Sequence, residues 1–437
     1  MMKRNTLRSV CCGLSLLLPV AATHAAAPEE TVVSRFLRYV QIDSQSSEHS
    51  NTVPTTETQR EFARQLANEL TAMGVNDVRL SEYGFVYALL PSNQPKDKHI
   101  QAFGLIAHLD TSSDAPGRGV KPMIHKNYQG GDLVLPADPT QVIPAADLSR
   151  LIGDDIITAD GTTLLGSDDK AGVAAIMTLV DILLKDPSIP HGDIAIAFTP
   201  DEETSVGIEK FDVANFGAKI AYTVDGGELG EITNETWSAR EAHIRFLGKS
   251  AHPGSAKGAM VNSAYALAEF VAAIPVDIRP ENTEDRQGFI HPEGATMSTA
   301  ESSLHLLLRD FTEAGLDAQA DLIGKLGAAV EQKYPGIKVE IDIAKNYSNM
   351  VQVLREYPEL IDNAKLAAKR AGVTAFTSAS RGGTDGSSLS FMGLPCPDIF
   401  TGGHNFHSKL EFNSRQGLEK TTDTLINLAK VFVEQGK

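Results

Sequence analysis

Residues 193–207 read DIAIAFTPDEETSVG, and this stretch decides the fold. From Ile194 to Phe198 isoleucine and alanine alternate in a short apolar run that stops at Thr199-Pro200. That is the pattern of a buried strand ended by proline. Asp201, Glu202 and Glu203 follow at once. Loops at strand ends are where α/β proteins place chemistry, because the sheet fixes the backbone while the loop reaches solvent. Two adjacent glutamates on such a loop can point in different directions, so one can hold a metal while its neighbour handles a proton. An isolated acidic triplet is more often a solvated turn. Here four more positions follow apolar strands or glycine turns: His108, Asp168, Asp225 and His407.

Working outward, Ala102 to Ala107 and Ile220 to Val224 read as further buried strands, and Val78 to Leu90 as two strands joined at Tyr83-Gly84. Helical spacing marks 28–43, 56–73 with Gly74 as C-cap, and Val173 to Leu184. The fifty residues after Asp110 are rich in Pro, Gly and Asp and predict a long excursion with short strands. Alternating strand, loop and helix implies a mixed sheet flanked by helices. Near Trp237 the character changes. Strands at 242–247, 295–299, 302–309 and 338–343, with helices at 260–274 and 318–333, follow the βαββαβ, ferredoxin-like plan. The expected organisation is α/β: a catalytic domain over 28–237 and 351–437, with a lid domain inserted at 238–350. In the last part fall a helix from Glu359 to Arg370, the glycine-rich RGGTDGSS at 381–388, and a closing helix over 416–434.

At 437 residues the chain has ample length for a large core. A formal charge of −17 argues against nucleic acid or anionic membrane as a partner. Lys3, Arg4 and Arg8 precede an apolar run, Val10 to Ala22, followed by small residues. This reads as a signal peptide over 1–27, cleaved near Ala25 or Ala27, and predicts an exported protein, periplasmic or secreted. Only Cys396 then remains, so no internal disulfide is expected.

Two histidines and three carboxylates are the inventory of a hydrolytic site for two divalent cations. One carboxylate can bridge a pair about 3.5–4 Å apart. Arg309 and Arg381 are candidates for holding a substrate carboxylate by paired hydrogen bonds. Asp385 reads as a helix cap.

The stretches AHLDTS (107–112), DGTTLLGSDDKAG (160–172), IAFTPDEE (196–203), AYTVDGGELGE (221–231), AHPGSAKG (251–258), RGGTDGSSLSFMGLPCP (381–397) and TGGHNFHSKLEF (401–412) together resemble one family. It is the peptidase T, or tripeptide aminopeptidase, branch of the dizinc aminoacylase and carboxypeptidase metallopeptidases. The resemblance implies two zinc ions, cobalt or manganese being possible substitutes. It implies His108 and Asp225 on one ion, Glu203 and His407 on the other, and Asp168 bridging, with a cis peptide between Asp168 and Asp169. Asp110 would orient His108, Glu202 would be the general base, and His252 would steady an oxyanion from the lid. The competing reading of His252 is a turn histidine before proline. Ser205 stands where such loops often carry glycine, and His404 and Phe406 where tyrosines are common. The branch is typically cytoplasmic, which conflicts with the leader. The expectation is an exported zinc aminopeptidase acting on short peptides, tripeptides above all, with a homodimer through the lid. The alternatives are a deacylase or carboxypeptidase on the same scaffold, or a non-catalytic metal- or peptide-binding module.

Overall fold

The computed structural model describes Met1 and residues 30–436. The rest of the expected leader lies outside the described residues. The main sheet has eight strands in the order Asp77–Leu80, Val86–Leu90, Ile194–Thr199, Phe103–His108, Ala221–Gly226, Asp398–Phe400, Glu231–Thr236 and Phe376–Ser380. Phe103–His108 runs parallel to both of its neighbours, while Val86–Leu90 and Asp77–Leu80 run antiparallel at one edge. The sheet is mixed, as the alternation of elements implies.

The Ile/Ala alternation in Ile194–Thr199 has a structural cause. Ile194, Ile196 and Phe198 face a thick layer of helices, packing with Leu105, Tyr222 and Val224 against Val32–Tyr39, Glu57–Met73, Ser167–Lys185, Pro358–Arg370 and Arg415–Gln435. Phe103 stacks on Phe432 of the closing helix with ring centroids 4.4 Å apart. Ala195 and Ala197 face the other way, where only short turns over 208–216 and the Asp385–Phe391 helix cover the sheet. Phe211 and Phe216 lie close on that side, so small residues are what fit.

The second sheet comprises Phe289–Thr296, Glu301–Asp310, Ser238–Leu247 and Lys338–Tyr347 in that order, with the helices Ser263–Ala272 and Glu313–Lys333 packed on one face. The βαββαβ order stands, but the second strand lies at Phe289–Thr296 rather than 295–299. Its register shift between Pro292 and Gly294 disguises the alternation that would have marked it. The excursion after Asp110 contains the short strands Met123–His125, Leu133–Val134, Val142–Ile143 and Ile156–Thr158. Among the described residues no helix is long and apolar enough to cross a membrane. Cys396 is buried and unpaired.

Candidate metal centre

Parallel register brings the chemistry to one edge. His108 pairs with Thr199, and Ile106 with Thr223, so His108, the Asp201–Glu203 loop and Asp225 arrive together at the carboxyl ends of three adjacent strands. The fourth contributor is the start of the Ser167–Lys185 helix. There Asp168 and Asp169 are non-helical and the peptide between them is cis. Regular helix begins only beyond them, which frees the Asp168 carboxylate to leave the helix axis.

The five expected ligands converge. His108 Nε2 lies 2.8 Å from Asp168 Oδ1 and 3.3 Å from Asp225 Oδ1. His407 Nε2 lies 2.8 Å from Glu203 Oε2 and 3.3 Å from Asp168 Oδ2. Two three-donor sets result, His108–Asp168–Asp225 and Asp168–Glu203–His407, each with its donor atoms within 4.8 Å of one another. Asp168 belongs to both. Glu203 Oε1 is buried without a hydrogen-bond partner.

Electrostatics point the same way. Burial, helped by Asp168, pushes Glu203 up to about 8, and burial raises Asp225 to about 6 and Asp385 to about 7. Burial also lifts Glu202 well above the carboxylate range, with Asp225, Asp385 and Glu203 adding to it and His108 opposing. His407 rises to about 11 through its hydrogen bonds to Asp168 and Glu203. Burial opposes protonation of His108, but Asp225, Asp110 and Asp168 outweigh it and hold the imidazole well above its ordinary value. The carboxylates outnumber the cations and draw protons in their place. Such an anion excess, together with the unpartnered Glu203 oxygen, suits a pair of dications.

Asp110 is placed to organise the loop. Its two carboxylate oxygens accept the backbone N–H groups of Glu202 (3.1 Å) and Glu203 (3.2 Å), and its Oδ1 lies 3.4 Å from His108 Nδ1. Asp201 ties the same loop back to the chain, accepting from Thr55 N and Gln59 Nε2.

Three residues carry more than the sequence suggested. Glu411 is 1% exposed and accepts the N–H groups of Leu165, Gly166 and Asp168, holding the turn that presents Asp168. Asp398 accepts the N–H of Asp225 in the same manner. Asp385 is not the cap of its helix. Thr384 is the N-cap, and Asp385 is buried with one oxygen unpartnered. Glu411 and Asp398 each sit beside a residue already singled out, but only tertiary structure tells a carboxylate that binds backbone amides from one on the surface.

Glu202 and Asp385 open into a cleft of ≈ 930 Å³ whose far wall is built from the second sheet, including Glu241, Arg309 and Tyr347. The two candidate arginines part company here. The Arg309 guanidinium lies over the Tyr347 ring, 5.7 Å from its centroid, and lines the cleft. Arg381 is committed elsewhere, donating to Thr283 O and Oγ1 at 2.8 Å each and covering Trp237. His252 is exposed and caps the Pro253–Ser255 turn, its Nδ1 accepting from Gly254 N at 3.1 Å. It stands outside both donor sets.

The family model for peptidase family M20/M25/M40 matches residues 158–431. A Peptidase T of Vibrio cholerae serotype O1 is 46% identical over 403 residues, which is 92% of this chain and 98% of that one. Two solved structures share the fold. A tripeptidase of Staphylococcus aureus superposes with a TM-score of 0.72 at 21% identity, over 92% of this chain and 98% of its own. A dinuclear metal binding peptidase from the M20 family, the Bacillus subtilis YXEP protein, does so at 0.62 and 13%, over 92% and 98%.

The likeness corrects one expectation. An exported enzyme, periplasmic or secreted, was read from a short apolar run behind three cations. The match to Peptidase T over nearly the whole of that protein overturns it, since it places the chain in the branch whose resemblance implies a typically cytoplasmic enzyme. The export reading rested on the layout of residues 1–27 alone, and it is withdrawn. The non-catalytic alternative falls as well, since the chain is a metallopeptidase by family.

Proposed function

Because the chain belongs to peptidase family M20/M25/M40, we propose that it is a dinuclear-metal aminopeptidase that releases the N-terminal residue of tripeptides. The observation that carries this reading is the sharing of Asp168 between two three-donor sets, with Glu202 beside them at one end of the cleft. His108 and Asp225 would hold one ion, Glu203 and His407 the other, and Asp168 both. Mixed imidazole and carboxylate donors favour zinc, with cobalt or manganese as substitutes. When bound, the metal pair supplies Lewis-acid polarisation of the scissile carbonyl and acidifies water.

The chain's own groups do the rest. Glu202 accepts a proton from the attacking water at its carboxylate and delivers it to the leaving amine. Asp110 fixes the backbone of Glu202 and Glu203 and so sets the aim of both side chains. Arg309, on the far wall, receives the substrate's C-terminal carboxylate, and the carboxylates crowding the metal end receive the α-ammonium. Anchoring both ends is what makes a peptidase select by length.

The lid reading belongs to this proposal. We divide the chain into a catalytic part, 28–237 and 351–437, and a lid, 238–350. One segment on each side joins the two, so hinge closure is feasible. His252 would reach a bound substrate only on closure. A homodimer through the lid fits its two open edge strands, Phe289–Thr296 and Lys338–Tyr347, and sedimentation of the full chain tests it.

The Peptidase T of Vibrio cholerae and the tripeptidase of Staphylococcus aureus support the substrate class. A panel of di-, tri- and tetrapeptides with free and blocked termini tests it directly. The expected result is release of the first residue from tripeptides, greatly slowed by acetylation of the amine. Preferred cleavage of N-acyl amino acids, or release of the C-terminal residue first, would overturn the assignment.

A further inference from the structure

The second sheet carries another group of metal-ligating side chains, separate from the first. Ser238–Leu247 and Glu301–Asp310 run antiparallel in a register that sets His243 opposite His305, so both rings leave the same face side by side. The rings stack with centroids 4.5 Å apart and planes within 6°. Glu241 lies two residues before His243 and therefore on that face too. Its Oε2 is 3.2 Å from His305 Nε2 and 3.8 Å from His243 Nε2. One donor atom from each of the three lies within 4.8 Å of the others. On its other flank His243 pairs with Asp342, so a further carboxylate borders the row.

We propose that Glu241, His243 and His305 form an additional metal site, for zinc or a similar borderline divalent cation, on the open face of the second sheet. Two imidazoles and one carboxylate are a ligand set of zinc sites that keep a coordination position open, and three protein donors leave the remainder to water. Adjacent strands hold the donors at fixed spacing, which a loop cluster could not do. Glu241 is itself held, because its other oxygen accepts from Asn346 Nδ2. That leaves Oε2 for the ion, with the hydrogen bond acting as the supporting contact a metal carboxylate usually has. Glu241 also lines the substrate cleft beside Arg309, so occupancy would change the charge of that wall.

Zinc counting tests the proposal on the full chain. Wild type, His243→Gln and His305→Gln are equilibrated with zinc chloride, and bound zinc is measured by elemental analysis and by competition with a chromophoric chelator. Wild type should hold one equivalent more than either variant. Because the readout is a difference between proteins that share the same main-sheet centre, it stands whatever that centre binds. A second measurement needs no variant: crystals of wild type soaked in zinc chloride should give an anomalous peak between Glu241 and the two rings. Equal zinc in all three proteins, or no peak at the cluster, would overturn the site.

Discussion

Two clusters in this molecule set a pair of imidazoles among carboxylates on a β-sheet, and they differ chiefly in burial. The carboxylates of the main-sheet cluster carry the difference, with Glu203 4%, Asp225 10% and Asp168 12% exposed although His407 beside them is 44% exposed, while on the second sheet Glu241 is 29% and His243 58% exposed. The first cluster stands at strand ends, where loops converge and several carboxylates are forced together out of water. The second stands in mid-strand on an open face, where water can solvate each group. Burial therefore makes the first an unbalanced charge that cations would complete, whereas the second is only a set of well-spaced donors. Occupancy should accordingly matter to folding at the first and to little beyond local charge at the second.

The largest effect should come from separating the two neighbouring glutamates of the buried centre. Glu202→Ala should cut turnover by about 10²–10⁴, as loss of a general base typically does, while metal content stays intact. Glu203→Ala should lose activity and metal together, since Glu203 is the residue in contact with His407. Elemental analysis beside a peptide assay checks both. Metal loss in Glu202→Ala with retention in Glu203→Ala would reverse the roles.

Next in size is the effect of stripping the metals by chelation. In the stripped protein Glu203 has its pKa raised to about 8, so it carries no penalty below its unfolded value and a growing one as pH rises toward 8. His407, raised to about 11, adds stability that is complete below its unfolded value and is lost as pH climbs toward 11. Both signs agree. The Tm of the stripped protein should fall as pH rises from about 5 through the alkaline range, and metal reloading should flatten that slope by replacing protons with cations. Parallel Tm–pH profiles for stripped and loaded protein would contradict the account of the buried centre.

This contrast also explains what was legible in the sequence. The strand Ile194–Thr199 was readable because alternation and a terminal proline are local signals. The five donors were readable because each follows such a strand or a glycine turn. Glu411 was not, because its function lies in three backbone N–H groups some 240 residues earlier, and nothing at Lys409-Leu410-Glu411 marks that. The pairing of His243 with His305 was hidden for the same reason, since only strand register joins them. Asp385 looked like a cap because Asp is common there, yet Thr384 takes that position and turns Asp385 inward.

The two arginines offer a smaller test. Arg309→Ala should raise KM for tripeptides severalfold, since its guanidinium lines the cleft, and should also cost about 0.5–1.5 kcal/mol of stability through the hydrogen bonds it donates to Leu308 O and Arg240 O. Arg381→Ala should leave KM unchanged and cost about 1–3 kcal/mol of stability, because it removes two hydrogen bonds to Thr283 and cover over Trp237. Peptide kinetics and denaturant unfolding separate the two. If the effects are exchanged, the assignment of the cleft wall is wrong.

The smallest expected effect lies at the exposed end of the loop that carries the buried glutamates. Ser205 has φ 53°, a left-handed conformation, and its N–H donates to Glu202 O at 2.8 Å. A residue with a Cβ adopts that conformation at a cost of about 1–2 kcal/mol. Glycine escapes the cost but loses about 0.5–1 kcal/mol through the greater freedom of its unfolded chain. The two nearly cancel, so Ser205→Gly should stabilise the protein by less than about 1 kcal/mol, measured as a shift in the denaturant midpoint. The turnover of Ser205→Gly then tells how the loop works. Asp110 and Asp201 hold the preceding residues by side-chain hydrogen bonds that do not involve Ser205, so Glu202 should keep its aim and kcat should stay within twofold. A marked fall in kcat with unchanged metal content would mean that the left-handed serine, rather than Asp110, sets the position of the base.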